Sequence, residues 1–116
     1  MKTYTQKGNT ALLIINQRSL KKILIDQIVL LKGDANYTIF HLEGGTSKVV
    51  PHNIKFFESY LETKGFVRIH RTYMINPTHI KSIDAENHTI TMSDGLEAII
   101  SRRREKNLRK TSIYQP

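Results

Sequence analysis

The sequence predicts an all-β, mainly antiparallel domain with one short helix near residues 53–63. Three observations carry this. Apolar residues recur at period two over most of the chain, the pattern of half-buried strands. Turn signals punctuate these runs, with Asp94-Gly95 the strongest and Glu43-Gly44-Gly45 another. The strands do not alternate regularly with helical segments, as a parallel α/β sheet would require.

Taken in order, "ALLIIN" (11–16) is a short apolar run, and "KKILIDQIVLLKG" (21–33) reads as one or two strands ending at Gly33-Asp34. "NYTIFHL" (36–42) alternates, with Tyr37, Ile39 and His41 on one side and Thr38, Phe40 and Leu42 on the other. "TSKVV" returns from the glycine turn. Asn53 can then cap a helix in which Ile54, Phe57 and Leu61 share one stripe, and Gly65 supplies its stop. "FVRIH" begins a new strand. "HIKSID" and "HTITMS" flank a hairpin at Ala85-Glu86-Asn87, and "LEAII" pairs back from Asp94-Gly95. The total is about eight to ten short strands with no internal repeat.

The chain has 116 residues, enough for one domain with a modest core. It has no cysteine, which excludes disulfides, thiolate metal sites and thiol nucleophiles. It carries no apolar run of membrane-span length and no signal-peptide pattern at its start, so a cytoplasmic location without membrane partners is expected. Eighteen Lys and Arg against ten Asp and Glu give a net charge of +8. Residues 102–110, "RRREKNLRK", hold six of those cations and one acid, a local field that suits a polyanion. The competing reading of that run is a solvated basic tail.

The segment "FVRIHRTYMINP" (66–77) breaks strand patterning. A continuous strand would turn Arg71 to the same face as Val67 and Ile69, and burying an unpaired guanidinium costs several kcal/mol. The strand is therefore expected to end near His70, with Arg71 in a bend and Asn76-Pro77 marking the next turn. An arginine held at a strand end suits guanine edges and phosphate oxygens. Pairing with a distant acid is the alternative, more so for Arg68 than for Arg71. In "SRRREKNLRK" (101–110), Ser101 can cap a helix whose first turn would hold three arginines, against the helix dipole; bound phosphate would relieve that conflict. A frayed terminus is the alternative there. "KGDANYT" (32–38) is a polar bend that signals nothing alone.

Together, "FVRIHRTYMINPTHIKSI" and "MSDGLEAIISRRR" resemble the LytTR DNA-binding domain, the output module of many bacterial response regulators. The resemblance runs from about Ile28 to Leu108. It implies an elongated arrangement of about ten strands in three antiparallel sheets, with a short helix at 53–63. It also implies a transcriptional regulator binding double-stranded DNA, whose loops enter successive major grooves, commonly at paired direct repeats held by one protomer each. By position, base contacts fall at Asn36, at Arg71 and at Arg103, with Arg102 competing for the third. His70, Asn76 and Ser101 match positions that support the loops, His70 also lying at the DNA. Lys32, Arg68 and Arg104 are expected at phosphates by charge. The layout expected is N-terminal strands over 1–27 that match the family loosely, a LytTR-like domain over 28–110, and a flexible tail over 111–116. No receiver domain is expected before residue 1, nor control in cis; a second copy on DNA and a regulatory partner protein are expected partners.

The nearest rival is an RNA-binding or single-strand-binding β domain, which needs exposed stacking aromatics; here aromatics are 8% with no Trp. Catalysis is not expected. His70, His79 and His88 fit no metal spacing and no HExxH is present, so neither metal nor cofactor is expected.

Overall fold

A computed structural model of the chain describes residues 2–5, 11–16 and 21–109. The tail expected at 111–116 lies outside them. Among the described residues, eleven strands form three antiparallel sheets. β1 (Lys2–Thr5), β2 (Ala11–Asn16) and β3 (Lys21–Leu24) make a three-stranded meander. β4 (Ile28–Asp34), β5 (Tyr37–Leu42), β6 (Ser47–Val50), β7 (Val67–His70) and β8 (Tyr73–Ile75) make a five-stranded sheet in the order β6-β5-β4-β8-β7. β9 (Ile80–Asp84), β10 (Thr89–Met92) and β11 (Glu97–Ile99) make the third. The helix α1 spans Ile54–Glu62, and a five-residue helix α2 spans Glu105–Arg109.

The central sheet is packed on both faces, which explains why β4 does not alternate. It lies between β5 and β8, and Ile28, Val29, Leu30 and Leu31 are all buried. Ile28 and Leu31 join Phe40, Met74 and the α1 stripe Ile54, Phe57 and Leu61 in one core. Val29 and Leu30 join Ile69, Ile75, Ile90, Met92 and Leu108 in a second core, under β9–β11. The α1 stripe and caps match expectation. Asn53 Oδ1 accepts from Phe56 N at 3.1 Å. At the other end Gly65, at φ 89°, lets Gly65 N reach the Glu62 carbonyl and Phe66 N the Leu61 carbonyl, a Schellman stop.

A 3-10 turn at Ile25–Gln27 divides the run 21–33 into two strands, one of the two outcomes expected. Two features depart from the sequence reading. The bend at 35–36 is a two-residue hairpin, with Asp34 opposite Tyr37 and Ala35 in the left-handed region at φ 54°. The arginines 102–104 do not fill the first turn of a helix: they form a turn of their own, and α2 starts at Glu105. Ser101 still organises that turn, its Oγ accepting from Arg104 N at 3.2 Å and its carbonyl from Glu105 N at 3.0 Å.

Candidate nucleic-acid interface

The strand carrying Arg68 and His70 ends at His70, residues 71–72 form a tight turn, and β8 follows. Three backbone groups of this turn have partners. Thr72 N donates to His70 Nδ1 at 3.1 Å, and the Thr72 hydroxyl lies 2.8 Å from the same nitrogen. The imidazole accepts at Nδ1, so it is neutral with its proton on Nε2. Burial, then the charges of Arg71, Arg104 and Arg68, lower the His70 pKa from its ordinary value. The Thr72 carbonyl accepts from Gly33 N at 2.8 Å. Arg68 is folded inward: its Nε donates to the His70 carbonyl at 2.8 Å, Nη2 to the Arg71 carbonyl, and Nη1 pairs with Glu58. Arg71 is exposed and its side chain has no hydrogen bond or ion pair among the described residues.

Two neighbouring loops converge on this turn. The β4–β5 hairpin, with Ala35 at its tip, lines a shared cleft with Arg71, Thr72, Gly33 and the start of α1 at Asn53, Ile54 and Lys55. Gly33 allows that close approach: a Cβ there would meet Ile54 Cδ1 at 3.1 Å and Thr72 Cα at 3.8 Å. Asn36, the expected first contact, is exposed at this tip. On the other side, Ser101 N donates to the Ile69 carbonyl at 2.8 Å, which seats the arginine turn beside β7. Arg102 and Arg103 are exposed, while Arg104 is half-buried and close enough for its charge to depress both His70 and Arg68. Lys32 is exposed on β4, in register with Tyr73 and Ile39, and its Nζ lies 6.0 Å from the Tyr73 ring.

The structure thus gathers Asn36, His70, Arg71, Arg102, Arg103 and Arg104 onto three linked loops. Arg68 is the exception among the residues expected at phosphate, since its donors are taken up within the protein. Sequence reasoning did not single out Glu58, the helix residue that holds it. The only local signal was an arginine inside a strand, following a helix that carries acids. Among the described residues no three His, Cys, Asp or Glu side chains gather as a metal site, and no helix is long and apolar enough to cross a membrane.

The profile of the LytTr DNA-binding domain matches residues 18–112. The chain belongs to the LytTr DNA-binding domain family. Among solved structures, this LytTr domain is similar to the LytTr DNA-binding domain of a protein from Bacillus cereus described as a methyl-accepting/DNA response regulator. The TM-score is 0.72 with 20% sequence identity, over 89% of this chain and 96% of that one. That likeness speaks to the fold. A search among curated proteins gives no match. Membership makes this a DNA-binding domain of the kind used in transcription regulation, and not a member of an enzyme family.

Proposed function

We propose that this LytTr domain binds double-stranded DNA sequence-specifically, as the reading head of a transcriptional regulator in the cytoplasm. Asn36, Arg71 and one of Arg102 or Arg103 read base edges in successive major grooves. Lys32, Arg104 and the second exposed arginine contact phosphates, and His70 shapes the middle loop from within. The observation that carries this reading is Arg71: an exposed arginine with no side-chain partner among the described residues, on a turn held by hydrogen bonds to the His70, Arg71 and Thr72 carbonyls and the Thr72 N–H. A guanidinium fork carried on a held backbone suits the bidentate edge of guanine, worth about 1–3 kcal/mol of discrimination. The adjacent arginines supply the phosphate term, which positions without specifying.

On this reading the DNA carries paired direct repeats, one protomer seated on each, and a separate protein supplies the regulatory signal. Selection from a random duplex pool at moderate salt tests it. Enrichment of a short motif, repeated at about one helical turn, is the expected result. Salt-sensitive binding without enrichment, or preference for RNA over duplex DNA in competition, would remove the reading.

A further inference from the structure

Arg68 carries the charge expected of a phosphate contact, yet its side chain is only 11% exposed and all three guanidinium nitrogens are engaged. Two of them grip consecutive carbonyls, those of His70 and Arg71. The third is held by Glu58 on α1. We propose that Glu58 and Arg68 form a clasp that sets the direction in which Arg71 leaves the backbone, so that Arg68 is a positioning residue for base reading rather than a DNA contact. The proposal rests on the reading of Arg71 given above.

The geometry supports it in three ways. The planar fork presents donors at fixed angles, so gripping two successive carbonyls fixes the peptide between His70 and Arg71. That peptide determines where the Arg71 side chain starts. Glu58 belongs to a helix anchored in the core through Phe57 and Leu61, so the clasp ties the reading turn to a rigid element. Glu58 also offsets, together with Glu62, a cation that stands close to Arg104. Without the clasp, the turn would have to be ordered on binding, and that entropy would be subtracted from affinity for the specific site.

The test compares wild type, Arg68→Lys and Glu58→Gln, each with and without Arg71→Ala. Affinity is measured across a salt series, for the duplex selected from the random pool and for a shuffled duplex. Lysine cannot grip both carbonyls in a fork, and glutamine removes the charge that anchors it. The expected result is a loss of about tenfold on the selected duplex. Affinity for the shuffled duplex and the salt slope should stay near wild type at a temperature where every variant is folded, and no further loss should occur once Arg71 is alanine. Arg68→Gln removes the charge; if it gave equal losses on both duplexes with a salt slope reduced by about 0.9, Arg68 would be a phosphate contact instead. Losses that add fully to Arg71→Ala would also overturn the clasp. If Arg68→Lys does not fold, Glu58→Gln reads the same coupling with the carbonyl contacts left in place. A wild type without duplex preference would defeat the DNA reading itself, a result distinct from a preference that the clasp variants leave untouched.

Discussion

His70 acts through one nitrogen. Its Nδ1 takes the Thr72 N–H, so the turn requires the neutral ring, and burial together with Arg71, Arg104 and Arg68 already disfavours the cation. The sign follows from linkage. The folded pKa lies below the ordinary value of about 6.5, so in the window beneath 6.5 the unfolded chain binds a proton that the folded chain does not. The stabilisation is complete above that window and is lost as pH falls through it. An NMR titration of the His70 ring should give a midpoint below about 6.5; a midpoint above it would mean that the ring is held as a cation. At this scale the sequence was legible where a residue violates strand patterning. Arg71 stood out because no nearby acid could neutralise it, and it is exposed and unpaired. Arg68 was the more open of the two to pairing with a distant acid, and it does pair, but the sequence did not name the acid. That acid is Glu58, ten positions away on a helix, and such a pairing is set by tertiary packing rather than by local pattern.

Elements with strong local codes were read well, and those set by context were not. α1 has a cap, a stripe and a glycine stop, each worth a fraction to about 2 kcal/mol, and all agree. The β4–β5 hairpin lacks a glycine signal, because Ala35 takes the left-handed position that glycine or asparagine usually fills, so it read as an ordinary bend. The turn 102–104 was expected inside a helix because Ser101 does carry a capping interaction; α2 begins only after the arginines. That short helix is secured by Leu108, fully buried in the second core. Leu108→Ala should cost about 2–5 kcal/mol at that site. If the loss is confined to α2, amide exchange over 101–109 will rise while the central sheet stays protected, and DNA affinity will fall with it. Unchanged exchange in that segment would mean that Leu108 does not seat the arginine turn.

Across the molecule, three loops from different parts of the chain are joined by two backbone hydrogen bonds, Gly33 to Thr72 and Ser101 to Ile69, each 2.8 Å. The overall excess of +8 thus has a structured face at which exposed cations collect. The three-sheet arrangement was legible through the family resemblance. The residues themselves gave only the strand class and an approximate count, because sheet order depends on long-range pairing that no local pattern encodes. A positioning role and a reading role separate at this scale by their salt dependence. Lys32→Ala should weaken binding to every duplex alike and reduce the salt slope by about 0.9. A sequence-dependent loss would place Lys32 at a base edge.

The central claim is that a rigid turn presents Arg71 to a base. The most direct measurement is the base preference of Arg71→Ala, profiled against all single-position variants of the selected duplex. The account predicts that preference flattens at one position, with a loss of about 1–3 kcal/mol on the selected site and the other positions unchanged. Intact affinity with intact preference would contradict it and move the reading function to another residue.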